Sequence, residues 1–185
     1  AEVERRMTRI GITADASREE IAAFAVEARN LASATAQPFN QIAAGADALA
    51  AQGRNLSEIR ALLPAVARTA QAAGAQTEGI AKSADAVGTH LKVGAGEMQK
   101  AFDIMAEGGK AGQFELKDMA RYLPSLAPAA KALGLEGTKG LSELVAMLQV
   151  IRKGSGSSEE AATAMNNILQ KMSSEETTKR FKKMG

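Results

Sequence analysis

Apolar residues recur at intervals of three and four positions along nearly the whole chain. After Ser17, the positions Ile21, Phe24 and Ala28 follow this spacing, which places them on one face of an α-helix. The residues Ser-Arg-Glu-Glu at positions 17–20 form a capping box, in which the hydroxyl and the second carboxylate satisfy free backbone N–H groups of the first turn. No segment alternates apolar and polar residues over the length of a strand, so the pattern predicts an all-α chain.

Further helices follow from the same spacing. Pro38 occupies a first-turn position, which proline tolerates, and Ser57 is predicted to cap the third helix. A second capping box at positions 157–160 precedes another apolar stripe, and a third at positions 173–176 opens a short terminal helix. Before that terminal helix, the predicted helices fall near residues 17–35, 38–53, 57–73, 80–91, 98–105, 116–133, 141–151 and 157–172.

One helical unit occurs twice in the chain. The stretch Leu56–Gly74 aligns without a gap with Leu116–Gly134, and 7 of 19 positions are identical at an offset of 60 residues. A repeated offset of this kind indicates a duplicated supersecondary unit. Both copies contain a Leu-Pro step in mid-helix and end in glycine. We therefore predict that the functionally important positions serve packing and bending: Leu63, Pro64, Gly74, Leu123, Pro124 and Gly134.

Proline inside these helices predicts a bend in each copy. A proline in a helix interior lacks the N–H donor and clashes with the carbonyl four residues back, at a cost of about 3 kcal/mol unless the helix bends or restarts. Pro128 adds a further proline to the second copy, which we expect to break into two short helices at Leu123-Pro124. The predicted fold is an all-α, multi-helix array of amphipathic helices, with an internal duplication of about 60 residues and kinks at the Leu-Pro steps.

The predicted organisation has four parts. Residues 1–16 are a lead-in segment, 17–109 an Ala-rich helical unit with the first copy, 110–172 a helical unit with the second copy, and 173–185 a short basic terminal helix. The chain has 39 alanines, 27 of them in the first 100 residues. Alanine favours helix but buries little area. We therefore expect the first half to be thinly packed and the second half, richer in Leu and Met, to carry the better core.

Charge and composition narrow the class of protein. The formal net charge of +2 is too balanced to imply a polyanionic partner. The absence of cysteine excludes a disulfide framework and cysteine-ligated metal. No apolar run reaches the roughly 18 residues of a membrane-spanning helix, and the N-terminus lacks a signal-peptide pattern. Because the chain opens on Ala1 and stops at Gly185, we expect it to be part of a longer protein.

Candidate catalytic chemistry is weak, and we predict that the chain is not an enzyme and needs no metal or cofactor. His90 is the only histidine, and its nearest candidates for a triad, Ser83 and Asp85, are helix neighbours at unsuitable spacing. The glycine-rich stretch at 134–140 lacks the Gly-Lys-Ser/Thr of a phosphate-binding loop and follows no strand, so helix capping explains it better. Paired glutamates sit in first helical turns, where they complement the helix dipole.

Two possible binding features have alternative structural explanations. A basic cluster near the end of the chain could contact nucleic acid or an anionic membrane, or could complement the dipole of a final helical turn. Its members are Lys179, Arg180, Lys182 and Lys183. Methionines at helical spacing could form an adaptable groove for a partner protein. Because they recur at the spacing of buried helix positions, packing in the core explains them better. These are Met98, Met105, Met119, Met147, Met165 and Met172.

The repeated region and its flanks resemble a known family. The stretch Gly112–Gly137 with its Leu-Pro step and Gly-Leu turn, the apolar helix Glu143–Gly154, and Ser158–Ala161 after a Gly/Ser turn resemble, in this order, the helical domain of tail tape measure proteins of long-tailed bacteriophages. The opening Arg6–Ala14 is similar to the lead-in of that domain. The resemblance covers roughly residues 6 to 172. It departs from the family in extent, since such proteins are much longer.

The resemblance implies a structural, non-enzymatic role. It places the protein in several copies in the lumen of the tail tube of the virion, and in the host cytoplasm during assembly. It implies contacts with other copies, the tail tube protein, tail assembly chaperones and tail tip or baseplate proteins, with membrane or DNA as further contacts during ejection. Tube assembly, tail-length determination and release at DNA ejection would be its functions. The alternatives are a helical protein-interaction or membrane-active module unrelated to tails, and an enzyme domain.

Overall fold

Every regular element that the structure describes is a helix, so the all-α prediction is confirmed. The structure is a computed structural model that describes residues 2–174, apart from the side chains of residues 111 and 112. Its helices are α1 (Glu2–Thr13), α2 (Arg18–Ala34), α3 (Phe39–Ala51), α4 (Leu56–Ala73), α5 (Thr77–Leu91), α6 (Met98–Gly112), α7 (Leu116–Ala132), α8 (Gly137–Lys153) and α9 (Ser158–Ser173), with a 3-10 turn at Ala95–Glu97.

The chain divides into two units. The first unit contains the chain up to Asp85 together with Gly94–Gln99, and the second contains Ala86–Val93 and the chain from Lys100 onward. The sequence-based division at residues 109 and 110 separates the two repeat copies, whereas the units divide the chain within α5 and near the start of α6. The lead-in segment contains a helix, α1, which the sequence pattern did not predict.

Side-chain caps fix where several helices begin. The Ser17 hydroxyl accepts from the Glu20 N–H at 3.1 Å and the Glu20 carboxylate accepts from the Ser17 N–H at 2.8 Å, so this predicted capping box is confirmed. The predicted cap of α4 was wrong: Asn55, not Ser57, caps it, and Glu58 completes the box at 2.9 Å in each direction. Asparagine is a strong N-cap residue. The glutamate that completes a capping box lies three positions after the cap residue, which is the spacing of Asn55 and Glu58.

The box at the start of α9 is only half formed. The Ser157 hydroxyl accepts from the Glu160 N–H at 3.1 Å, but the Glu160 carboxylate accepts from the Gly156 N–H at 2.8 Å instead of from Ser157. The predicted box at positions 173–176 extends outside the described residues.

The two complete capping boxes also stabilise the charged form of their glutamates. The hydrogen bond from the Ser17 backbone lowers the pKa of Glu20, and the bond from the Asn55 backbone lowers the pKa of Glu58. A carboxylate that accepts N–H bonds is favoured in its charged form. The stabilisation from each box is therefore present near neutral pH and is lost as the pH falls through the lowered pKa of its glutamate.

The Ala-rich helix α3 lies at the centre of the first unit, where it contacts α1, α2 and α4. More than half of its residues are buried: Ile42, Ala43, Gly45, Ala46, Ala48, Leu49 and Ala50. Small side chains let helix backbones approach closely, so several neighbours pack around one thin helix. The expectation that the first half would be thinly packed was wrong, because it considered the area of each alanine and not the number of helices that surround it.

Polar contacts hold α3 to its neighbours at both ends. At one end the Arg9 guanidinium of α1 pairs with Asp47, with Nε 2.8 Å from Oδ1. At the other end Gln37 donates to the Ala67 carbonyl of α4 and accepts from the Thr77 hydroxyl of α5, each at 2.8 Å. Gln37 thus ties the turn before α3 to two other helices. Buried amide and hydroxyl groups of this kind need such partners.

In the second unit, α9 packs against both α7 and α8. Its buried residues are Ala161, Ala162, Met165 and Leu169. Close contacts at glycine also bring α6 and α8 together, since a Cβ added at Gly108 would collide with Val145. The helical packing of this unit therefore also uses a position where any larger residue would require Val145 to move.

The two repeated helices, α4 and α7, are each continuous through their prolines. Pro64 lies inside α4, and Pro124 and Pro128 lie inside α7. The expected break of the second copy into two helices at Leu123-Pro124 was wrong, since α7 runs from Leu116 to Ala132. The internal duplication and the kinks at the Leu-Pro steps stay predictions.

The cap of α4 gives a direct test of this local structure. Replacing Asn55 by Ala removes the hydrogen bond to the Glu58 N–H, and we expect a loss of about 1 kcal/mol of unfolding free energy. Ser57 is exposed and lies within the helix, so Ser57→Ala should be neutral or slightly stabilising, because Ala has the higher helix propensity. Urea titration of both variants measures the difference, and a larger loss for Ser57→Ala would reverse the assignment of the cap.

Candidate functional site at the Leu-Pro steps

The first Leu-Pro step lies in the core of the first unit. Leu63 is buried, and its Cδ1 lies 3.4 Å from the position that a Cβ of Gly45 would occupy. Pro64, one residue later, is half-buried. Leu63 therefore packs beside Gly45 of α3, next to Thr77, whose Cγ2 lies closer still. Its packing explains why an apolar residue is needed at this step.

A groove of about 90 Å³ runs beside this step between α2 and α4. The Glu27 carboxylate accepts from Arg60 Nε at 2.8 Å at its edge. Both side chains are partly exposed, and exposed ion pairs contribute little stability. The other lining residues are Phe24, Ala28, Leu31, Leu63 and Pro64. The groove is therefore an apolar slot with a charged edge, and Leu63 and Pro64 are the only two of the predicted site residues among its described lining.

A network of charges anchors the start of α4 to α5. Arg54 donates from Nε to Asp85 at 2.8 Å and from Nη1 to Glu58 at 3.2 Å. Burial disfavours the charged form of Arg54, but the hydrogen bonds and charges of Asp85 and Glu58 outweigh it and raise the pKa of the guanidinium. This pairing engages Asp85, one of the two helix neighbours of His90 that were candidates for a catalytic triad.

The second Leu-Pro step lies in the second unit. Leu123 is fully buried, Pro124 is half-buried, and their helix α7 packs against α9. The Ser158 hydroxyl at the start of α9 donates to Asp118 of α7 at 2.9 Å. The leucine of each copy is therefore a core residue, whereas each proline is partly open to solvent.

Both copies end in a glycine of left-handed backbone conformation. Gly74 has φ 59° and Gly134 has φ 78°. The residue after each glycine donates its N–H to the carbonyl five positions back, Ala75 to Ala70 at 2.9 Å and Leu135 to Ala130 at 3.1 Å. Only glycine adopts this conformation without steric cost. The role of these glycines as hinges stays a prediction.

The methionines and the basic cluster, the two possible binding features of the sequence, differ in where they lie. Met98, Met105, Met119 and Met165 are fully buried, Met147 is half-buried and Met172 is 49% exposed, so four of the six methionines lie in the core. The basic cluster Lys179, Arg180, Lys182 and Lys183 lies outside the described residues. The sequence pattern gave no signal that Gln37 and Gly45 hold helices together. The close approach of Gly45 to Thr77 depends on tertiary packing, which no local pattern encodes.

Two kinds of feature are absent from residues 2–174. Within this range no group of three or more His, Cys, Asp or Glu side chains is arranged to hold a metal ion. None of the helices described there is both long and apolar enough to cross a bilayer.

Comparisons with known proteins point in one direction. The model of the phage-related minor tail protein family matches residues 11–185. The chain is similar to a probable tape measure protein of Burkholderia phage BcepMu, with 34% identity over 186 residues that cover 100% of this chain and 22% of the relative. It is also similar to a tape measure protein of Pneumococcus phage Dp-1, with 26% identity over 174 residues that cover 92% of this chain and 14% of the relative. The chain thus spans about a fifth or less of these relatives, and no solved structure matches it.

The two leucines should differ in their contribution to stability. Leucine-to-alanine substitutions in a core cost about 2–5 kcal/mol, and the cost rises with the cavity that is left. Leu63 borders an existing groove, whereas Leu123 is fully buried among larger neighbours such as Met119 and Leu126. We expect Leu123→Ala to lose more unfolding free energy than Leu63→Ala in urea titrations. Equal or reversed losses would contradict this order.

Proposed function

The chain belongs to the family of phage-related minor tail proteins, and on that premise we propose that it is a segment of a tape measure protein that scaffolds assembly of the phage tail. The observation that carries the proposal is the match to a probable tape measure protein along the whole length of the chain. The helical composition supports it, because a protein that must extend along a tube is built economically from helices.

The proposed role has three stages. Several copies of the complete protein lie in the lumen of the tail tube, where they recruit tail chaperones and nucleate polymerisation of the tube protein. The span of the complete protein then sets the length of the tail, and contact with tip or baseplate proteins fixes one end. At infection the protein leaves ahead of the DNA. This role requires surfaces for other proteins and no catalytic group.

Within that protein, this segment is better suited to assembly than to measuring length. Its longest described helix, α4, has 18 residues, and a helix of that length spans only about 27 Å. Within each unit the helices pack against one another and several bury a continuous apolar face. A folded unit contributes little length per residue, so we assign the ruler function to other parts of the complete protein.

Deletion in the complete phage tests this assignment. Removing Leu116–Gly134 deletes α7 and leaves the apolar face of α9 without its partner helix, so we expect tail assembly to fail or tails to be unstable. A control deletion of 19 residues from an uninterrupted helical tract of the complete protein should shorten tails by about 28 Å, at 1.5 Å per residue. Electron microscopy measures both outcomes.

Two results would contradict the proposal. Tails of normal length and normal infectivity after deletion of Leu116–Gly134 would remove the assembly role. Tails that are infectious and shortened by about 28 Å would show that this segment is itself part of the ruler.

A further inference from the structure

The exposed face of α7 carries a proline that local packing does not explain. Pro128 lies in the interior of α7 and is exposed in the structure of residues 2–174. In this position it removes the helical hydrogen bond to the Pro124 carbonyl and its ring crowds that carbonyl. The first copy of the repeat has Arg68 at the same place, a residue that favours helix. A residue that weakens a helix without burial in return is expected where the surface has a role besides folding.

Cations occupy the same face. Lys117, Arg121 and Lys131 are exposed, and together with Pro124 and Pro128 they are spaced by 4, 3, 4 and 3 residues along α7. This spacing forms one stripe along the helix, which we call the α7 stripe.

The first copy lacks these cations. Its residues at the three equivalent positions are Ser57, Ala61 and Gln71, all uncharged, and its own cation on this face is Arg68. Five positions, in contrast, are buried and apolar in both copies, among them Leu63 and Leu123. The two copies therefore share a core and differ on this exposed face.

Neighbouring groups leave part of this charge available. The Glu115 carboxylate pairs with Lys117, with the two charged atoms 2.9 Å apart. The guanidinium of Arg121 lies 5.3 Å from the centre of the Tyr122 ring, an arrangement that holds the cation at the surface without neutralising it. The α7 stripe thus offers positive charge near both ends and apolar proline rings between them.

We propose that the α7 stripe is a docking surface for an acidic amphipathic helix of another protein. Glutamates of such a helix would pair with Arg121 and Lys131, and its apolar side chains would cover the rings of Pro124 and Pro128. A nucleic acid fits less well, because proline rings offer nothing to phosphates and the carboxylate of Glu115 borders the stripe. The proposal goes beyond the tail assignment, since it rests on the surface of α7 alone.

A peptide-binding experiment on the complete 185-residue chain tests the surface. The probe is a fluorescent synthetic helix of roughly 20 residues, long enough to span α7, with leucines on one face and glutamates beside them. The stripe variant Lys117→Ser/Arg121→Ala/Lys131→Gln introduces the residues that the first copy has at these positions. The control variant Lys110→Ser/Lys139→Ala/Lys153→Gln removes the same charge from exposed positions of α6 and α8.

Fluorescence anisotropy should separate the variants. Each exposed charge pair contributes only a little binding energy, but the stripe variant loses three cations at once. We therefore expect it to bind the peptide roughly tenfold more weakly than the parent. The control variant should bind within about twofold of the parent, and a peptide with glutamine in place of glutamate should bind weakly to all three proteins. Equal affinity of the stripe variant and the parent overturns the proposal. So does a DNA duplex that binds more tightly than the peptide and loses affinity in the stripe variant.

A second variant tests the proline. Pro128→Ala restores the missing backbone donor, so we expect a thermal midpoint several degrees higher together with at least threefold weaker binding of the acidic peptide. A lower midpoint would show that Pro128 serves the fold, and unchanged peptide affinity would remove it from the docking surface; either result overturns its proposed role.

Discussion

The close approach of helices around the small residues of α3 is the constraint on which the first unit depends. Ile42 and Leu49 are fully buried, but the positions between them are largely alanine, with glycine at position 45. A Cβ at Gly45 would lie only 2.7 Å from Cγ2 of Thr77. Since α1, α2 and α4 all contact α3, the thickness of this one helix fixes how closely its neighbours can pack.

The polar contacts of the first unit follow from that packing. Thr77 is fully buried, and its hydroxyl needs the Gln37 carbonyl oxygen, 2.8 Å away, as a partner. Gln37 also donates to the Ala67 carbonyl, so the side chain of one turn residue connects α4 and the start of α5. An unsatisfied buried hydroxyl would cost about 1–3 kcal/mol. The small residues of α3 therefore let Thr77 pack closely against that helix, and Gln37 supplies the hydrogen bond that the buried Thr77 hydroxyl needs.

The sequence predicted the helices well and their packing poorly. Periodicity located every described helix except α1, and helix capping was expected for the glycine-rich stretch at 134–140 because a left-handed glycine ends many helices. The cap at Asn55 was missed although the signal was present, since Glu58 follows three residues later. Local sequence gives no measure of how many helices surround α3, so the alanines suggested weak packing. The groove at Leu63 and Pro64 was likewise unpredictable, because Phe24 and Leu31 of α2 form its other wall.

The most direct test of this account compares two glycine-to-alanine variants in the first unit. Gly79 lies in α5 with open space around it, so Gly79→Ala should stabilise the protein by about 0.5–1 kcal/mol through helix propensity. Gly45→Ala gains the same propensity, but its methyl group must displace Thr77 and disturb the bond to Gln37, so we expect a net loss of at least about 1 kcal/mol in urea titration. Stabilisation by both substitutions would contradict the claim that close packing at α3 holds the first unit together.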